Sequence, residues 1–117
     1  AESLIACIDQ KPVEAVARVI RAQKPDALLI AGEDMLFPTS FAVAMLGLSV
    51  PEDLSVIGYD DISWPSAESQ GLTTIRQPLD EMGHIALELL DEYFRTGIPP
   101  VSRTVSPSLI ERSSVAG

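Results

Sequence analysis

Cysteine, histidine, aromatic side chains and positive charge are all scarce in this 117-residue chain, and each shortage narrows what it can do. The single cysteine, Cys7, cannot close an internal disulfide. Its place inside the apolar run Leu4–Ile8 suits a small buried hydrophobe better than a reactive thiol. The single histidine, His84, falls on a helical stretch with no serine or cysteine motif beside it, so a nucleophilic triad lacks its base, and a surface or packing role is expected. Eight Lys plus Arg against seventeen Asp plus Glu give a formal net charge of −9. The cations are scattered instead of forming a basic stripe, so this chain is not expected to bind nucleic acid by itself. No apolar run approaches the roughly 18 residues of a membrane span, and no secretory leader opens the chain. A cytoplasmic protein without a membrane partner is expected. Neither a Walker loop nor a dinucleotide fingerprint occurs, so no cofactor is expected.

What is present is one domain's worth of regular α/β patterning, with 46% hydrophobic content. Leu4–Ile8 reads as a buried strand. Val13, Val16, Ala17 and Ile20 then recur at helical spacing, with Pro12 near the first turn. Ala27–Ala31 is a second buried strand, and Phe41, Ala42, Met45 and Leu46 mark a helix over Thr39–Leu46. Leu54–Gly58 is a third strand and Leu72–Ile75 a fourth. A long helix runs from Pro78 to about Phe94, stopped by Gly97. Arg103–Ile110 is a last edge strand, in view of Pro107, and the tail after Arg112 is expected to fray. Alternating strands and helices imply right-handed crossovers and a three-layer parallel sheet with helices on both faces. The chain starts without methionine and enters a strand almost at once, as expected of a fragment of a longer protein.

In such sheets ligands bind beyond the carboxyl ends of the strands. Those positions hold Asp9 and Gln10, then Glu33 and Asp34, then Asp60 and Asp61. Ionised carboxylates accept two donors each and suit sugar hydroxyls, amines or a hard cation. Their commoner fate is to cap helices or solvate turns. That ordinary reading is adopted for Asp34 and Asp61, and a binding role for Asp60. Trp64 lies in a polar loop, as a pocket wall or as an anchor on the core. The competing reading is an enzyme: a Mg²⁺-dependent phosphoryl-transfer or receiver-like domain. That chemistry needs a cation near the phosphate, and the only lysines are Lys11 and Lys24, the latter at the wrong end of its strand. No metal site or catalytic residue is assigned.

The segments Pro-Asp-Ala-Leu-Leu-Ile-Ala-Gly-Glu-Asp (25–34), Val-Pro-Glu-Asp-Leu-Ser-Val-Ile-Gly-Tyr-Asp-Asp (50–61) and Leu-Thr-Thr-Ile-Arg-Gln-Pro (72–78) resemble the LacI/GalR transcription regulators. Leu109–Arg112 is similar to that family's last strand. The resemblance implies a periplasmic binding protein-like I fold and, for this chain, a C-terminal subdomain fragment. Residues 1–77 and 101–113 would belong to that subdomain, and 78–97 to a helix of the other. It implies a small-molecule effector in an inter-subdomain cleft, contacted by Asp60. Glu33 stands where many relatives carry Asn, and Gln10 near a position that often carries a stacking aromatic. Leu79 and Met82 would line the pocket's apolar edge. The resemblance further implies a homodimer through the helix bearing Phe41, Ala42 and Met45, and contact with DNA only through an N-terminal head outside this chain. Without its cover, the stripe of Met82, Ile85, Ala86, Leu89 and Tyr93 is expected to drive self-association.

Overall fold

Each element follows from a local pattern. The computed structural model describes residues 5–6, 12–61 and 71–116. Helix α1 (Pro12–Gln23) buries Val16, Ala17 and Ile20 of the expected stripe together with Ala15, while Val13 is partly buried. Strand β1 (Ala27–Leu29) leads through a 3-10 turn (Glu33–Met35) into α2 (Leu36–Met45). Helix α2 starts three residues before the sequence expectation because Pro38 falls in its first turn, where the backbone N–H groups have no helical partner to lose. Strand β2 (Ser55–Tyr59), strand β3 (Thr73–Arg76), helix α3 (Leu79–Thr96) and strand β4 (Ser108–Ile110) complete the order. Gly97, at φ 69°, takes the left-handed conformation that stops α3.

The four strands lie in the order β1-β2-β3-β4. The first three are parallel, as expected, while β4 is antiparallel to β3. The chain leaves the carboxyl end of β3, runs out along α3, and comes back to the same end, so the returning strand runs the other way. Only Ser108–Ile110 pairs out of the expected Arg103–Ile110. Pro107, which has no N–H to donate, precedes the paired part. Cys7 and most of the expected Leu4–Ile8 strand lie outside the described residues. Ile5 and Ala6 are described; they form no strand, and Ile5 is 90% exposed.

One core cluster joins Val16, Ala17 and Ile20 of α1, Leu36, Ala42 and Val43 of α2, Val56 of β2, and Ile30, Leu54 and Leu72 at the ends of β1, β2 and β3. The opposite sheet face carries Leu29, Ile57, Tyr59, Ile75 and Leu109, joined across the strands by pairing. Leu29 is 62% and Leu109 56% exposed. Helices on both faces were expected; among the described residues α1 and α2 cover one, and α3 buries no side chain. Leu87, Leu90, Tyr93 and Phe94 of α3 are all exposed. The radius of gyration is 18.3 Å, against about 13 Å for a compact chain of this length.

The tail expected to fray is instead built into the sheet. Ser114 is 1% exposed. Its Oγ accepts from Thr73 N–H at 2.8 Å and donates to Val56 O at 2.6 Å. Val56 N–H donates to Ser114 O at 2.8 Å, so the tail wedges between β2 and β3. Gly58 is fixed by close approach, since a Cβ there would meet Leu72 Cδ2 at 2.4 Å.

Two stability changes follow. Ser114→Ala strands a buried donor and acceptor and is expected to cost about 1–3 kcal/mol, read as a lower urea midpoint at unchanged slope. Gly58→Ala overpacks the face beside Leu72 and is expected to cost a similar amount, about 1–3 kcal/mol.

Candidate functional site

Beyond the carboxyl ends of β2 and β3 the chain bends sharply and gathers four polar side chains. Asp60 and Asp61, directly after β2, have φ 69° and 55°. Both occupy the left-handed region, which few residues other than glycine enter and where aspartate is several-fold enriched. Asp60 N–H donates to Ile75 O at 2.9 Å, extending the β2–β3 ladder by one bond. Asp61 N–H donates to Thr74 Oγ1 at 3.1 Å, so the chain has already turned back over β3.

The Asp61 carboxylate then meets two guanidiniums. Arg76, the last residue of β3, donates to Oδ2 through Nε at 2.9 Å and through Nη2. Arg112 places Nη2 2.6 Å from Oδ1, an ion pair outside hydrogen-bond alignment. Arg112 first and Arg76 second hold the Asp61 carboxyl below the usual carboxylate range. Arg112 is itself braced: its N–H donates to Thr73 Oγ1 at 2.9 Å and its Nη1 to Leu72 O at 2.7 Å.

Asp60 is the carboxylate that faces outward. Gln77 Nε2 donates to its Oδ1, and among the described residues nothing bonds to Oδ2. Asp60, Asp61, Arg76 and Gln77, with Pro78, Leu79, Asp80 and Glu81 at the start of α3, line an open recess of about 560 Å³. Asp80 and Glu81 also complement the positive end of the α3 dipole. The recess therefore offers an excess of acceptors over donors.

Of the residues singled out from sequence, Asp60 and Leu79 come together here, Leu79 being 67% exposed. Met82, one turn further along α3, is 40% exposed and does not line the recess. Glu33 opens the 3-10 turn after β1, exposed, beyond the carboxyl end of the strand next to β2. Asp9, Gln10 and Trp64 lie outside the described residues. Phe41 and Met45 are exposed on α2, at 62% and 56%. Ala42 is 0% exposed and belongs to the core, so it is no part of that surface.

Arg76, Gln77 and Arg112 were missed, and Asp61 was taken as a turn residue. A charged or amide pair after each of two neighbouring parallel strands was the available signal. Arg112, separated from Asp61 by the whole of α3, gave none. A carboxylate already held by two guanidiniums has little capacity left for a cation. Among the described residues no cluster of three or more metal-ligating side chains occurs, and no helix is long and apolar enough to cross a membrane.

An open sheet, parallel but for one edge strand, with polar side chains beyond its carboxyl ends, is the architecture of an α/β binding domain. The sequence profile of the periplasmic binding protein-like domain matches residues 2–115. The chain belongs to that family, and LacI-family transcription regulators stand among the proteins it is similar to in sequence and in structure. It is 40% identical over 97 residues to the HTH-type transcriptional repressor PurR of Escherichia fergusonii, covering 82% of this chain and 28% of that protein. The chain thus spans well under a third of the length of the curated relatives it matches. The crystal structure of a LacI-family repressor from Corynebacterium glutamicum superimposes with a TM-score of 0.80 at 30% identity, over 91% of this chain and 42% of that one. A LacI-family regulator from Arthrobacter sp. FB24 in complex with lactose gives 0.74 at 31% identity, over 90% and 41%.

Asp61 sets an expected acid response. Its folded pKa is depressed, so its stabilising contribution is complete above its ordinary value near 3.8 and is lost as pH falls through the lower folded value. Asp61→Asn is expected to flatten that acid limb in urea midpoints taken from pH 2 to 6, leaving the other carboxylates' share.

Proposed function

We propose that this chain is the ligand-sensing part of a LacI-type transcriptional repressor, binding a small sugar-like or nucleoside-like effector at the rim that carries Asp60. The observation that carries this reading is the outward Asp60 carboxylate, paired with Gln77 in a recess rich in acceptors. Such a recess suits a neutral or cationic ligand with several hydroxyl or amine donors and repels an anion. Glu33, on the neighbouring strand's exit, adds a second acceptor, and Leu79 an apolar edge. The lactose complex of the Arthrobacter relative supports a polyol.

The chemistry required is binding, not bond cleavage. The helix α3, with residues 78–97, is taken as part of a second subdomain across a cleft, as family architecture implies. Effector held between Asp60 on one side and that subdomain on the other would favour the closed arrangement. A population shift of this kind needs only unequal affinity for the two arrangements. The closed arrangement changes the spacing of DNA-binding heads that lie outside this chain. Phe41 and Met45, open on α2, are assigned to a homodimer surface. The protein acts in the cytoplasm, where its DNA is.

A thermal-shift screen of the full-length protein against monosaccharides, disaccharides, nucleosides and amines tests this. A binder is expected to raise the Tm in proportion to the logarithm of its concentration, and Asp60→Ala to abolish the shift while leaving the unliganded Tm within a few degrees. A binder whose shift survives Asp60→Ala contradicts the assignment.

A further inference from the structure

Asp61 is turned inward, with a side chain 22% exposed and both oxygens engaged, so it has little to offer a ligand. Its surroundings nevertheless control the two side chains that face outward. We propose that Asp61 is the positioning residue of the rim: gripped by Arg76 and Arg112, it locks the left-handed turn that aims Asp60. In doing so it ties the site to the strand that rejoins the sheet after α3. The inference rests on the reading of this rim as the ligand site.

Three geometric facts converge on it. First, two consecutive non-glycine residues at positive φ persist only where their surroundings over-determine them. Here the restraints are two backbone bonds, to Ile75 O and Thr74 Oγ1, and the double grip on the Asp61 carboxylate. Secondly, Arg76 directly precedes Gln77, whose amide donates to Asp60. One ion pair therefore fixes both ends of the Asp60–Gln77 bond, through Asp61 in the turn after β2 and Arg76 at the end of β3.

Thirdly, Arg112 is not a loose surface cation. Its backbone is bonded in both directions with Thr73 Oγ1, at 2.9 and 3.0 Å, and its Nη1 holds Leu72 O. Its side chain passes so close to Gly71 that a Cβ there would meet Cδ at 2.4 Å. The guanidinium has a fixed seat, and Asp61 must come to it. Since Arg112 follows β4, the rim reaches its final geometry only when the chain has returned from α3 and docked. Residues bracketing the α3 excursion, Arg76 before it and Arg112 after it, meet on one carboxylate.

Side-chain and backbone NMR on the full chain, without ligand, tests the positioning role. In the unaltered protein the Gln77 side-chain amide is expected to be as ordered as the backbone, with an order parameter of about 0.8. Asp61→Asn is expected to drop it below about 0.6 and to shift the HN–Hα coupling of Asp60 away from its left-handed value. Arg112→Gln, which leaves the Arg76 grip, is expected to give a smaller drop of the same kind and serves if Asp61→Asn does not fold. Ile20→Val, in the core on α1 and away from the tail, is the structural control: its Tm should fall while Gln77 stays ordered. A Gln77 amide as rigid in both clamp variants as in the parent, or equally loosened by Ile20→Val, would overturn the proposal. As no ligand is added, the result is independent of whether the thermal-shift screen finds a binder.

Discussion

Two arginines closing on one carboxylate form the constraint around which the rest of this sheet is arranged. Asp61 can reach Arg76 and Arg112 only because the chain reverses at the end of β2, and that reversal puts two aspartates into backbone conformations seldom used outside glycine. The order β2-β3-β4 brings together the two cations, Arg76 at the end of β3 and Arg112 just after β4. Leu72 over Gly58 and Ser114 wedged beside Val56 keep those strands in the register this needs. An exposed ion pair alone contributes little to stability. The Arg112 side of this clamp is a different case, since Arg112 is already held by Thr73 and Leu72 and needs little further ordering for the contact to form.

Among the described residues the core is one-sided. Helices α1 and α2 close one face of the sheet, while Leu29 and Leu109 remain open on the other and α3 buries nothing. Parallel strands are ordinarily covered on both faces. Both open surfaces fit a segment of a larger domain, in keeping with the 28% of the PurR relative's length that the match spans. The acceptor-rich recess stands where the covered sheet gives way to the uncovered helix.

Much of the architecture was legible because it rests on local patterns. The stripe of α1, the stop at Gly97 and the apolar runs of β1 to β3 each follow from periodicity or from a single residue's backbone preference. Asp60 was legible as a strand-end carboxylate within a family-like motif. Its neighbours' roles were not, because they depend on pairing. Asp61 next to Asp60 looks like any turn aspartate until β3 and β4 are laid beside it. Ser114 reads as a frayed-tail serine until the splay between β2 and β3 gives its hydroxyl two partners. The direction of β4 and the exposure of Leu29 are likewise long-range facts. The burial of Ala42 follows from its place on α2, whose outer face is left to Phe41 and Met45.

The central claim is that a ligand is held at the outward Asp60–Gln77 pair. A co-crystal structure of the full-length protein with the compound giving the largest thermal shift tests it most directly. The account expects a ligand hydroxyl or amine within hydrogen-bond distance of the Asp60 carboxylate, with Asp61 still clasped by Arg76 and Arg112. A well-ordered ligand bound elsewhere, with the Asp60 rim untouched, would contradict it.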